Sequence, residues 1–110
     1  MRGWDARSRF LVLKVFGMLY MVIERIRPGQ APAVYQRARE HGRMLPSGLT
    51  YVASWVEPSF ARCFQVMECE DPSLFQPWIS AWEDLVEFEI IPVITSSEAA
   101  ERMAGGALPA

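Results

Sequence analysis

Two strand-like segments follow each other directly in the middle of this sequence, and this pair limits the possible folds more than any other feature. Residues 49–57 (LTYVASWVE) and 62–69 (RCFQVMEC) are rich in β-branched and aromatic residues, and Pro58 and Ser59 lie in the short link between them. Because so short a link brings neighbouring strands side by side, the pair is predicted to form an antiparallel hairpin. A helix and a further strand are predicted on each side of this hairpin.

The segment before the hairpin contains a strand followed by a helix. Residues 19–26 (LYMVIERI) are typical of a strand and end at a turn sequence, residues 27–29 (RPG). From Pro32 onwards, residues that would form one face of a helix recur at helical spacing: Val34, Ala38, His41 and Leu45. Gly42 marks the weakening end of this helix, and residues 46–48 (PSG) mark its exit.

The segment after the hairpin begins with a second helix. Asp71 and Pro72 are typical of the N-cap and the first position of a helix. A broad apolar stripe follows them: Leu74, Phe75, Trp78, Trp82 and Leu85. We interpret these side chains as core. Pro77 conflicts with a regular α-helix because it lacks a backbone N–H, so we expect a kink or an irregular first turn.

The chain is predicted to end in a fourth strand and a short helix. Residues 86–94 (VEFEIIPVI) have the composition of a strand, and Pro92 suits an edge strand or a strand end. Ser96 or Ser97 is predicted to cap a short helix that runs to Met103.

The predicted order β-α-β-β-α-β is the ferredoxin-like pattern. Right-handed crossovers place both helices on one face of a four-stranded antiparallel sheet, so the fold class is α+β. We divide the chain into an N-terminal extension (residues 1–17), a ferredoxin-like α/β domain (residues 18–95) and a short helix with a flexible tail (residues 96–110). The basic extension lacks the marks of a signal peptide or transmembrane helix. We expect it to be poorly ordered; the alternative is an extra helix or strand that covers a sheet edge.

Alternation along the strands predicts which side chains face the helices. We assign a consistently apolar set to the helix-packed core: Leu19, Met21, Ile23, Tyr51, Ala53, Trp55, Phe64, Val66, Phe88 and Ile90. The opposite set is mixed: Tyr20, Val22, Glu24, Thr50, Val52, Ser54, Cys63, Gln65, Met67, Glu87, Glu89 and Ile91. A solvated sheet face is usually more polar than this mixed set, so we expect it to contact a partner sheet, a partly polar cavity, or both.

Composition argues against several classes of partner. Thirteen acidic residues against eleven basic ones give a net charge of −2, whereas nucleic-acid binding needs a clustered excess of Lys and Arg. Cys63 and Cys69 would lie about 20 Å apart on one strand, so we expect free thiols and a reducing cytoplasm. One histidine and two cysteines make a poor metal signature. No metal, cofactor, nucleic acid or membrane partner is predicted.

Four segments resemble a known family of small bacterial proteins, the domain of unknown function 3303. They are MLYMVIERIRPG, HGRMLPSGLTYVASWVE, RCFQVMECEDPSL and WEDLVEFEIIPVITSSEAA, which lie in this order within residues 18–100. The resemblance implies a dimeric α/β barrel, in which two ferredoxin-like sheets pack face to face as a homodimer. It implies no activity and no catalytic residue. Pro77 departs from the helix that the family would have there.

Seven residues are candidates for a ligand cavity on the open sheet face: Tyr20, Glu24, Ser54, Cys63, Gln65, Met67 and Glu89. A buried carboxylate there would have a raised pKa and could accept or donate a proton. The alternative is that these are rim residues, bonded to water or across a dimer. His41 is interpreted as a structural helix-end residue, with a catalytic base or haem ligand as alternative. Arg37, Arg39 and Arg43 are interpreted as a solvated face, with an anion site as alternative.

The sequence predicts a cytoplasmic homodimer that contacts through its open sheet face and binds a small molecule there. One alternative is a cofactor-independent monooxygenase-like enzyme, by analogy with other dimeric α/β barrels. The other is a purely structural dimer. No catalytic motif such as G-x-S-x-G and no phosphate-binding glycine loop is present. Fold alone does not decide among these functions.

Overall fold

The computed structural model describes residues 17–105. Its elements are β1 (Met18–Ile26), α1 (Ala31–His41), β2 (Thr50–Val56), β3 (Arg62–Cys69), α2 (Phe75–Trp82), β4 (Val86–Val93) and α3 (Ser96–Gly105). The strands form one antiparallel sheet in the order β2-β3-β1-β4. The predicted ferredoxin-like α+β fold is therefore confirmed. The predicted extension lies outside the described residues except for Gly17, and so do the last five residues of the predicted tail.

Helix α1 is held against the rest of the domain by an arginine. The Arg37 guanidinium donates to both carboxylate oxygens of Asp84, at 2.8 and 2.7 Å, and to the Ala81 carbonyl oxygen at 2.9 Å. It also lies over the Trp82 ring, 5.4 Å from the centroid. Arg37 thus fixes α1 to the connection between α2 and β4, and its interpretation as part of a solvated face is wrong. The same bonds hold the pKa of Asp84 below its usual value.

The start of α2 explains how the chain tolerates Pro77. The Asp71 side chain accepts a hydrogen bond from the Ser73 backbone N–H at 2.9 Å, and Pro72–Leu74 forms a single 3₁₀ turn. The α-helix proper begins only at Phe75, so Pro77 lies in its first turn. A backbone N–H there has no acceptor within the helix, and its absence costs little. The predicted irregular first turn is confirmed.

The third helix has a different cap from the one predicted. The Thr95 hydroxyl accepts the Glu98 backbone N–H at 3.0 Å, and the helix then runs to Gly105. Thr95 therefore caps α3, and the prediction of Ser96 or Ser97 is wrong by one or two residues. A threonine N-cap acts in the same way as a serine N-cap, because its hydroxyl oxygen accepts a hydrogen bond from the same free N–H groups.

The sheet face covered by α1 and α2, hereafter the covered face, is not the face that alternation predicted for β1 and β3. Tyr20, Val22 and Met67 are 6%, 0% and 0% exposed, and Tyr20 meets Phe75 of α2 edge to face with ring centroids 5.1 Å apart. The core assignments on β1 and β3 are thus wrong, whereas Phe88 on β4 does pack against the core. The more polar side of the two central strands, which carries Glu24 and Gln65, is the one that the helices cover, so alternation pointed to the wrong side.

A β-bulge at Val52 shifts the alternation within β2. Tyr51 pairs with Met67, but Ala53 pairs with Val66, so the residues after the bulge are moved by one position. Tyr51 and Ser54 consequently share the covered face, where their hydroxyl oxygens lie 2.8 Å apart. Ala53 and the later Trp55 lie on the other side, and their assignment to the core is wrong.

The opposite side of the sheet, hereafter the open face, has an apolar centre. It consists of Leu19, Met21, Ile23, Ala53, Trp55, Phe64, Val66 and Ile91. Trp55 is 60% exposed and Ile91 36%. Two ion pairs lie at one end: Arg25 with Glu89 at 3.2 Å, and Arg62 with Glu57 at 2.8 Å.

Candidate functional site

A cavity of about 360 Å³ lies between the covered face, α1 and α2. Its apolar lining comes from Ile26, Val34, Ala38, Val56, Trp78, Trp82 and Val86, and its polar lining from Glu24, Tyr35, Arg43, Ser54, Cys63 and Gln65. A mostly apolar wall with a few convergent polar groups is typical of small-molecule sites, which range from about 300 to 1,000 Å³.

Four of the seven candidate residues line this cavity: Glu24, Ser54, Cys63 and Gln65. Tyr20 and Met67 share the covered face but are buried in the hydrophobic core. Glu89 lies on the open face and pairs with Arg25. The expected position of the cavity on the open sheet face is therefore wrong. The residues were grouped by parity, and all of them except Glu89 lie on the face that the helices cover.

A chain of hydrogen bonds crosses the cavity wall. Arg43 Nη1 donates to Gln65 Oε1 at 3.0 Å, and Gln65 Nε2 donates to Glu24 Oε2 at 2.5 Å. Gln65 is 3% exposed, so its amide depends on these partners. A guanidinium can only donate hydrogen bonds, which requires the amide oxygen of Gln65 to face Arg43 and its NH₂ group to face Glu24.

Two tryptophans of α2 hold the loop that positions Arg43. The indole N–H groups of Trp78 and Trp82 both donate to the Arg43 carbonyl oxygen, each at 3.0 Å. The Arg43 guanidinium then lies 3.6 Å from the centroid of the Tyr51 ring, a close cation–π contact. The two tryptophans are 2% and 7% exposed, which confirms that they belong to the core. They also shape the cavity.

Sequence reasoning missed the roles of Arg43 and Tyr35. Arg43 belongs to a row of arginines near the end of α1, and nothing in its spacing separates it from Arg39, which is exposed. Its contact with Gln65 depends on Gly42, whose φ of 68° turns the chain back over the sheet. The position of Gly42 at the helix end predicts a turn, but it does not predict the direction in which the chain continues.

Burial shifts the pKa values of Glu24 and Cys63, two titratable side chains that line the cavity. Burial raises the pKa of Glu24 to about 7, although the hydrogen bond from Gln65 and the charge of Arg43 oppose the shift. Burial raises the pKa of Cys63 to about 12, and the Glu24 charge adds to it. Near neutral pH, Cys63 is therefore a neutral thiol with little nucleophilic character, while Glu24 exchanges readily between its two protonation states.

His41 lies outside this site. Its side chain is 62% exposed and 3.9 Å from the Glu40 carboxylate. Within residues 17–105 there is no group of three or more His, Cys, Asp or Glu side chains placed to hold a metal ion. Among the helices in that same range, none is long and apolar enough to cross a membrane.

Comparison with known proteins agrees with the resemblance noted in the sequence. Residues 18–107 match the family described as "Domain of unknown function (DUF3303)". The chain belongs to this family. No curated protein matches the chain, and no solved structure does. Since the family description names no activity, function has to be argued from the cavity and from the open face.

Proposed function

We propose that this protein binds a small, mainly apolar molecule in the cavity between its sheet and helices α1 and α2, and that it acts as a homodimer. The observation that carries the first part is the combination of an apolar wall with one connected polar group, Arg43–Gln65–Glu24. The wall supplies a place for an apolar body, and the polar group supplies orientation.

Native mass spectrometry of the purified protein tests ligand binding. We expect extra mass that is released on denaturation, and the released compound identifies the ligand class. Ala38→Phe should remove this mass, because Ala38 lines the cavity and a phenyl ring would fill part of it. Gln36→Phe is the matched control, since Gln36 is an exposed residue of the same helix.

Two outcomes would contradict this part of the proposal. Extra mass that survives in Ala38→Phe would place the ligand elsewhere on the chain. A bare dimer in every preparation would favour a purely structural or interaction dimer. Circular dichroism of both variants checks that the phenylalanine has not unfolded α1.

The second part of the proposal assigns the open face to a second copy of the chain. Its centre is apolar, and the charges at one end of it are paired within the chain as Arg25–Glu89 and Arg62–Glu57. A surface of this kind does not repel an identical surface, which is what an isologous twofold interface requires. Face-to-face packing of two sheets would also cover Trp55, the most exposed large hydrophobic residue of the face.

The alternative of an enzyme is favoured by one specific observation. Glu24 lines the cavity with a pKa of about 7, a value suited to a general base or acid near neutral pH. A cofactor-independent, monooxygenase-like reaction would use Glu24 to remove a proton from the bound molecule. Oxygen uptake in the presence of the released ligand, lost in Glu24→Gln, would support it. The free thiols of Cys63 and Cys69 support a cytoplasmic location for either function.

A further inference from the structure

The hydrogen-bonding capacity of Glu24 is only partly used within the protein. Gln65 Nε2 donates to one oxygen of its carboxylate. A carboxylate has about four lone-pair directions, so capacity remains after this bond. Glu24 lines the cavity, and a bound molecule is placed to use what remains.

The Gln65 amide fixes which hydrogen-bonding role Glu24 has within the protein. Its orientation is set by Arg43, which can only donate, so Gln65 always presents an N–H to Glu24. Glu24 must therefore always give an acceptor oxygen to Gln65. The other oxygen is an acceptor when the carboxyl is ionised and carries the donor O–H when it is protonated.

The other charged and titratable groups that face Glu24 do not change their protonation state near neutral pH. They are Cys63 from β3, Tyr35 from α1 and Arg43 from the loop after α1, with Tyr51 of β2 beneath the Arg43 guanidinium. Helix α2 contributes tryptophans there, and β4 contributes Val86. Burial raises the pKa of both Cys63 and Tyr35, so these two stay neutral near neutral pH.

We propose that Glu24 selects ligands by their hydrogen-bonding group, taking apolar molecules with a neutral hydroxyl or N–H donor when it is ionised and apolar molecules with an ether or carbonyl acceptor when it is protonated. This inference rests on the proposed function, because it presumes binding in the cavity. It follows that the preference for donor ligands is lost or reversed as the pH falls through the Glu24 titration. That titration lies near neutral pH, since burial raises the Glu24 pKa to about 7.

A pair of probes with one shape separates the two preferences. 2-Naphthol carries a hydroxyl donor, and 2-methoxynaphthalene is nearly the same shape but can only accept. At about pH 8, we expect isothermal titration calorimetry to find 2-naphthol bound about tenfold more tightly, the effect of one hydrogen bond to a charged group. At about pH 5.5, we expect this advantage to disappear or to reverse, because the protonated carboxyl now donates.

Two variants connect the reversal with Glu24. Glu24→Gln keeps the shape but removes the titration, so its probe preference should be small and independent of pH. Glu89→Gln is the matched control on the open face, where the same change should leave the reversal intact. Thermal unfolding of each variant verifies that it is folded.

The outcomes distinguish the two proposals. If both probes bind in the cavity with equal affinity at both pH values, the selection by Glu24 is overturned while small-molecule binding stands. If neither probe binds at either pH, the proposed binding and the proposed selection by Glu24 are both overturned for ligands of this size. If 2-naphthoate binds more tightly than either probe, Arg43 rather than Glu24 selects the ligand, and the inference is overturned.

Discussion

The two faces of the sheet differ in an unusual way: polar side chains are buried on one face, and large apolar side chains are exposed on the other. The covered face places Glu24, Ser54 and Gln65 under the helices, whereas the open face leaves Trp55 and Ile91 exposed. Among the residues that the structure describes, no buried side-chain nitrogen or oxygen lacks a hydrogen-bond partner. The comparison teaches that polar groups can be buried at little cost once they are paired, while an exposed apolar sheet face gains free energy when another surface covers it.

The largest expected difference between the faces concerns tryptophan. Trp78→Ala should lower the free energy of unfolding by about 3–5 kcal/mol, because it leaves a large cavity in the core and removes a donor to the Arg43 carbonyl oxygen. Trp55→Ala should change the stability of the monomer by less than about 1 kcal/mol, since Trp55 is 60% exposed. Urea unfolding at low protein concentration measures both. Equal losses would show that the two faces are buried alike.

The second prediction concerns the pH dependence of stability, which we expect from the covered face. The folded protein holds a proton on Glu24 more tightly than the unfolded chain does, with a pKa of about 7 against a usual 4.5. The contribution of this group to stability is therefore full below pH 4.5 and decreases as the pH rises to about 7. The whole change is at most about 3 kcal/mol.

Glu24→Gln should remove this slope from the unfolding free energy measured across that pH range. The matched change on the open face, Glu89→Gln, should leave the slope in place. A slope that persists unchanged in Glu24→Gln would mean that another group causes it. Carbon-13 NMR of labelled glutamate side chains gives the Glu24 titration directly.

The third prediction concerns the proposed partner of the open face. Trp55→Arg should raise the dissociation constant of the dimer at least about thirtyfold, because it places a charge where the second sheet would pack. Met103→Arg, at an exposed position of α3, is the control and should leave the dimer unchanged. Analytical ultracentrifugation measures both. A dimer that tolerates Trp55→Arg would exclude this face as the interface.

A chain lacking residues 1–16 tests a competing occupant of the same face. If the full chain is a monomer and the shortened chain dimerises, the N-terminal segment takes the place that we assign to a second copy. If both are dimers of equal affinity, the segment does not compete for the interface.

The smallest expected effect lies in the loop above the covered face. Gly42→Ala should cost about 1 kcal/mol, because Gly42 has a φ of 68°, which side chains with a Cβ rarely adopt. A Cβ at this position would meet no other atom within 4 Å, so the loss would come from the backbone alone. Gly105→Ala is the control, since a Cβ there also meets no other atom within 4 Å, but Gly105 does not have a positive φ. Equal thermal stability of the two variants would contradict this explanation.

Much of the fold could be predicted from local patterns. Asp71 and Pro72 announced the start of α2, and the consequence of Pro77 followed from its missing N–H. The candidate site was predictable only in part. Glu24, Cys63 and Gln65 were grouped correctly by strand parity, but Arg43 and Tyr35 come from α1 and the loop after it. Such contacts depend on how α1 lies on the sheet, which no local pattern encodes.

What the sequence determined by itself is the order of elements, the antiparallel hairpin and the membership of each parity set on β1 and β3. These features depend on short-range preferences: turn residues, helix caps and the two-residue repeat of a strand. Only the tertiary structure decided which set is covered by helices. Both sides of the central strands are apolar enough to be buried, and the bulge at Val52 moves Ser54 and Trp55 to opposite sides. The choice was therefore made by packing against Trp78 and Trp82 and by the pairing of Gln65 with Arg43 and Glu24, interactions between residues far apart in the chain.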